Sequence, residues 1–109
     1  MSDAQQRIDD LVKQNEFLLF MKGSASFPTC GFSGRSIQIL KACGVDPKSL
    51  KTVNVLEDDG IRQGIKEYSN WPTIPQLYVR GEFIGGSDIM MEMYESGELQ
   101  QVLSAPSAQ

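Results

Sequence analysis

The sequence predicts an α/β fold, a four-stranded mixed sheet flanked by helices. Three observations carry this. The apolar run Phe17-Leu18-Leu19-Phe20-Met21 reads as a buried strand. A helical stretch separates it from a second β-rich run at 51–56, which makes a βαβ unit with parallel strands and a right-handed crossover. Gln76 to Val79 and Glu82 to Ile84 then flank Arg80-Gly81, the pattern of a tight hairpin.

The elements follow in chain order. Residues 3–15 carry Ile8, Leu11 and Val12 at helical spacing behind a Ser2-x-x-Gln5 capping box. Residues 21–29, rich in Gly, Ser and Pro, form a loop after the first strand. The helix after Cys30 carries Phe32, Ser36, Ile39, Leu40 and Cys43 on one stripe, and Gly44 is placed to end it. Asp46-Pro47-Lys48-Ser49 is a turn. In the second strand, Val53 and Val55 face one way, Thr52 and Asn54 the other. Asp58 or Asp59 caps a third helix with Ile61, Ile65 and Tyr68 inward, and the helix dipole accounts for the acidic cluster Glu57-Asp58-Asp59. Trp71-Pro72-Thr73-Ile74-Pro75 breaks the pattern before the hairpin. Gly85-Gly86 lead into Ser87-Asp88, the start of a fourth helix whose Met90, Met91 and Met93 read as core fillers. Gly97 interrupts it, Leu99, Val102 and Leu103 make a last amphipathic turn or two, and Ser104 to Gln109 reads as a frayed tail. Without repeats or linkers, residues 1–109 read as a single domain.

Bulk properties exclude several function classes. A net charge of −4 and a pI near 4.7 argue against a nucleic-acid or anionic-membrane surface, though not against a small basic pocket. The longest apolar run, five residues at 17–21, is far short of the ~20 that span a bilayer. Two cysteines cannot build a disulfide framework, and the first residues lack the pattern of a signal peptide, so a reducing, cytoplasmic setting is expected. The absence of histidine removes Cys–His pairs, Ser–His–Asp triads and His-containing metal sites.

Cys30 is the candidate reactive residue. It lies in a strand-to-helix turn, where the helix dipole and free N–H groups favour a thiolate, the form that attacks disulfides and binds metal. With no histidine, further activation must come from nearby Lys or Arg. The second thiol of a Cys-x-x-Cys pair would fall at position 33, which is serine. Cys43 lies on the apolar stripe and reads as core. By helix rise it is about 20 Å from Cys30, beyond the ~7 Å that a disulfide allows.

The order α-β-α-β-α-β-β-α with a cysteine after the first strand resembles the thioredoxin fold. Lys22, Cys30-Gly31-Phe32-Ser33, Trp71-Pro72-Thr73-Ile74-Pro75-Gln76 and Gly85-Gly86-Ser87-Asp88 together resemble the monothiol, CGFS-type glutaredoxins, a likeness running from about Ile8 to Leu103. The resemblance implies binding of glutathione and of a [2Fe–2S] cluster, in a homodimer or with a BolA-like protein. It also implies a cis Pro75 that frees the Thr73-Ile74 backbone to pair with glutathione like an added strand. Lys22 and Arg62 would then meet the glycine carboxylate. The N–H groups of Ser87 and Asp88 would hold the γ-glutamyl carboxylate, and the Asp88 side chain its amine.

A cluster needs four ligands, and one chain offers one placed cysteine. The count closes for two Cys30 thiolates and two glutathiones, or with a partner that supplies ligands. The expected role is therefore an iron–sulfur carrier that hands clusters to acceptor proteins. Two alternatives are a glutathione-dependent thiol–disulfide oxidoreductase (deglutathionylation) with Cys30 as nucleophile, and a regulatory module for a BolA-like partner. Many members of that family carry cysteine where this chain has Ser87, so an internal disulfide from Cys30 to that position is excluded here.

Overall fold

The structure, a computed structural model, describes residues 3–46 and 48–104. Its elements are α1 (Asp3–Gln14), β1 (Phe17–Met21), α2 (Gly31–Ala42), β2 (Leu50–Asn54), α3 (Asp59–Ser69), β3 (Gln76–Val79), β4 (Glu82–Gly85), α4 (Ser87–Ser96) and α5 (Glu98–Ser104). The sheet runs β2-β1-β3-β4. β1 is parallel to β2 and antiparallel to β3, and β3 is antiparallel to β4. This is the mixed four-stranded sheet that the sequence predicts.

β1 can be apolar throughout because both its faces are covered. Leu18 and Phe20 pack with Ile8, Val12, Ile61 and Ile65 of α1 and α3. Leu19 and Met21 pack with Ile37, Leu40, Met90 and Leu99 of α2, α4 and α5. Alternation along the strand thus feeds two cores, one on each side of the sheet. Met91 and Met93 pack against the second core, as expected of fillers. Arg80 and Gly81, both at positive φ (49° and 82°), close the β3–β4 hairpin.

Helix ends set the loops that reach the site. Gly44 (φ 86°) ends α2, with Gly44 N–H donating to the Lys41 carbonyl and Val45 N–H to that of Leu40. Asn70 (φ 54°) ends α3 in the same way, with Trp71 N–H donating to the Lys66 carbonyl at 3.2 Å. That pairing fixes where Trp71-Pro72-Thr73 leaves the helix. Asp58 caps α3 through the Ile61 N–H at 3.1 Å and pairs with Arg7 at 2.7 Å. Its carboxyl is held below the usual range, first by the Arg7 hydrogen bond and then by the Ile61 N–H.

Some expectations are corrected. The second strand ends at Asn54, and Val55–Glu57 form a turn of 3-10 helix. The cause is the Asn54 side chain, which accepts from both Leu56 N–H and Gly23 N–H and so replaces strand pairing. Phe32 is not on the buried stripe of α2: it is 59% exposed, while Ser33, Ser36, Ile37, Ile39 and Leu40 are buried. Gln5 donates to the Gly64 carbonyl of α3 at 2.8 Å, while Ser2, the other half of the expected capping box, lies outside the described residues. Of the expected frayed tail, Ser104 closes α5, and 105–109 lie outside the described residues.

Candidate functional site: a helix-start thiol in a cation-lined cleft

The loop after β1 folds back on itself to present Cys30. Thr29 N–H donates to the Lys22 carbonyl at 3.1 Å, and Gly23 bridges to Pro28. The turn closes so tightly that a Cβ on Gly23 would lie 2.5 Å from the Phe27 carbonyl oxygen, at a φ of 88° that side chains resist. Cys30 is the N-cap of α2, in extended conformation, and partly exposed. Its thiol pKa is lowered. The Ser33 backbone N–H is the largest cause, joined by the Phe32 N–H, the Lys22 charge and the Ser33 hydroxyl, with partial burial opposing. The sequence reading placed this activation at the helix terminus and a neighbouring cation, and both act.

Ser33 itself is fully buried, and its hydroxyl accepts the Lys22 N–H at 3.0 Å. The position where a second thiol would stand is therefore a structural link between β1 and α2. Cys43 sits at the opposite end of α2, where burial pushes its thiol up.

Cys30 opens onto a cleft of about 380 Å³, a size suited to a small ligand. Its lining carries the cations Lys22, Arg62 and Lys66. The floor is Thr73, Ile74 and Pro75, and the Ile74–Pro75 bond is cis. The N-terminus of α4 also lines it, with Gly86 as N-cap followed by Ser87 and Asp88. Every residue singled out from sequence (Lys22, Cys30, Arg62, Thr73, Ile74, Ser87, Asp88) thus lines one cleft. Trp71 and Phe32 form its rim, with the Trp71 ring 5.9 Å from that of Phe83. The buried Gln76 amide donates to the carbonyls of Trp71 and Thr73 (3.3 and 3.1 Å), bracing the floor from below.

Two cations escaped the sequence reading. Lys66 follows Arg62 by one helical turn, a spacing that could have flagged it. Arg35, on α2, donates through Nε to Ser87 Oγ at 2.7 Å and pairs with Asp88 at 2.6 Å. Nothing local signals that pairing, because its partners lie 52 and 53 residues away. No three His, Cys, Asp or Glu side chains among the described residues are grouped to hold a metal ion.

A thioredoxin fold with an activated thiol at a helix start, facing a cation-lined cleft, defines a glutathione-type thiol protein as a class. The comparisons narrow it. The glutaredoxin family model matches residues 17–84. A Synechocystis protein named as an uncharacterized monothiol glutaredoxin is 55% identical over 97% of this chain and 96% of its own. The mitochondrial monothiol glutaredoxin-5 of Schizosaccharomyces pombe is 50% identical over 98% and 73%. Among solved structures, reduced apo GrxS14 from poplar superposes with TM-score 0.76 at 50% identity, covering 89% of this chain and 86% of the other. A buckwheat glutaredoxin–glutathione complex superposes with TM-score 0.79 at 25% identity, covering 93% and 87%. The chain belongs to the glutaredoxin family, among the monothiol glutaredoxins.

The same relatives correct the cytoplasmic expectation. Those named with a compartment, from three yeasts, zebrafish and Arabidopsis, are mitochondrial or chloroplastic. Charge and cysteine count do not distinguish one reducing compartment from another.

Proposed function

We propose that this monothiol glutaredoxin binds glutathione in the cleft and, in a glutathione-bridged homodimer, carries a [2Fe–2S] cluster through Cys30. The observation that carries this reading is that one cleft collects Lys22 and Arg62, the Cys30 thiol, and the α4 N-terminus with Asp88. Glutathione has the matching set of groups: a glycine carboxylate, a cysteine and a γ-glutamyl amino-acid end. The Thr73-Ile74 backbone meets its middle as an extended strand would. The mitochondrial relatives and the glutathione complex of the buckwheat protein support the same reading.

The donor chemistry fits a shared cluster. A thiolate is the preferred ligand for iron–sulfur clusters, and Cys30 ionises readily. Phe27, 79% exposed, and Phe32 offer apolar surface near Cys30 that a second chain or a BolA-like protein can cover. The cluster, when bound, is cargo for acceptor proteins. The residues of this chain hold glutathione, keep the thiolate charged and present it at the cleft mouth.

The lowered thiol pKa also favours a second reading, thiol–disulfide exchange. Cys30 thiolate would attack a protein–glutathione disulfide, taking the glutathionyl sulfur and releasing the protein thiolate. A second glutathione would then attack Cys30–glutathione, releasing glutathione disulfide. Ser33 cannot resolve the intermediate.

Anaerobic reconstitution with iron, sulfide and glutathione tests the proposal, read by visible absorbance and solution mass. Cluster bands on a dimer, absent from Cys30→Ser and absent without glutathione, are expected. A colourless native monomer overturns the homodimeric carrier reading. Steady-state turnover of a glutathione mixed disulfide then tests the exchange reading, and reconstitution with a BolA-like protein tests the partner-bound form.

A further inference from the structure

We propose that Arg35 is a specificity residue that makes the α4 end of the cleft select a ligand end bearing a free α-carboxylate. This rests on the glutathione reading and assigns a role that the cleft's lining residues do not fill.

The argument starts from a conflict of charge. The free N–H groups at the start of α4 suit a carboxylate. Asp88, in the same first turn, carries a negative charge that repels one. Arg35 removes the conflict by pairing with Asp88 Oδ1 at 2.6 Å. It also occupies Ser87 Oγ as an acceptor at 2.7 Å, which leaves the Ser87 hydroxyl proton free to be donated into the cleft. Ser87 is only 6% exposed and lines the cleft. The guanidinium is itself held, 5.7 Å over the ring of Phe32, which lines the same cleft. A neutralised Asp88 keeps its second carboxylate oxygen for an amine. The wall therefore reads a zwitterionic amino-acid end as a unit, and the carboxylate half of that reading depends on Arg35.

The prediction concerns a ratio of affinities. Two unreactive probes are titrated calorimetrically: S-methylglutathione, and its analogue with a 4-aminobutyryl group in place of γ-glutamyl, which keeps the amine and lacks the α-carboxylate. The native protein should bind S-methylglutathione more tightly. In Arg35→Met that preference should shrink about three- to ten-fold, given how exposed Asp88 is. Arg35→Lys keeps the charge but cannot bridge Ser87 and Asp88 with a planar fork, so it should retain only part of the preference. A purely structural role would weaken both probes equally and leave the ratio unchanged in both variants, which overturns the inference while leaving glutathione binding intact. If the native protein binds neither probe, the glutathione reading falls and this inference with it.

Discussion

Ser33→Ala separates the two things that residue 33 does. Its hydroxyl accepts the Lys22 N–H at 3.0 Å inside a fully buried environment, and it also faces the Cys30 sulfur. Alanine removes the acceptor and leaves a part-buried backbone donor unpaired, a loss of about 1–3 kcal/mol. Alanine recovers roughly 0.5 kcal/mol in helix propensity. The net is a destabilisation of about 1–2 kcal/mol, or a fall in Tm of about 4–8 °C for a domain of this size. The thiol should respond differently. Its largest stabilising partner is the Ser33 backbone N–H, which alanine retains, while the hydroxyl is the smallest of the causes. Cys30 should therefore keep a pKa below its ordinary 9.0, only slightly raised. Circular dichroism melts give the first quantity, and the pH dependence of alkylation by iodoacetamide the second. An unchanged Tm with a thiol returned to ordinary behaviour would refute the reasoning. It would mean that the hydroxyl, and not the helix backbone, holds the thiolate.

Alkylation should also tell the two cysteines apart. Cys30 should react with an inflection below pH 9.0 and Cys43 above it, so brief labelling at neutral pH followed by peptide mapping should find the label on Cys30. The phenols of Tyr68 and Tyr78 are both pushed up to about 12, chiefly by burial. Raised values mean that the protonated phenols favour the fold. That stability is fully present below pH 10 and lost as pH climbs toward 12, so alkaline melts should show Tm falling across that window. Tyr68→Phe deletes the 2.7 Å bond to Asp9 and should cost about 1 kcal/mol at pH 7, read in urea titrations. Gly23→Ala forces a side chain to φ 88° and against two backbone atoms within 2.6 Å, for a loss of about 3 kcal/mol or more. A Gly23→Ala protein that melts like the native one would show that the 22–29 loop is not braced as described.

Much of the fold was legible because β1 is apolar at all five positions, and only a strand covered on both faces tolerates that. The hairpin was legible because Arg80-Gly81 sits between two short apolar runs. What failed did so for local reasons. Val55 extends the alternation of β2 by one step, but Asn54 ends the strand with its side chain, and no periodicity argument sees that competition. On α2, the buried positions left off the stripe are Ser33 and Ile37, and Ser33 does not register as apolar. The apparent stripe therefore rotates toward Phe32, whose ring in fact borders the cleft.

The sequence named individual residues that line the cleft, though not Lys66, and did not show the electrostatic whole. Two helices, α2 and α4, bring their N-terminal turns to one cleft, through Cys30 and Ser87 respectively. Each adds the partial positive charge of its free N–H groups. Lys22, Arg62 and Lys66 add full charges, and Asp88, the acidic side chain on that lining, is paired with Arg35. A chain of net charge −4 thus concentrates positive potential in one small concavity. Net charge argued against anionic macromolecules and is silent about small anions, because the first depends on the whole surface and the second on where helix ends converge. That convergence is set by β1, whose C-terminal end at Met21 runs into Lys22 and the loop that delivers Cys30.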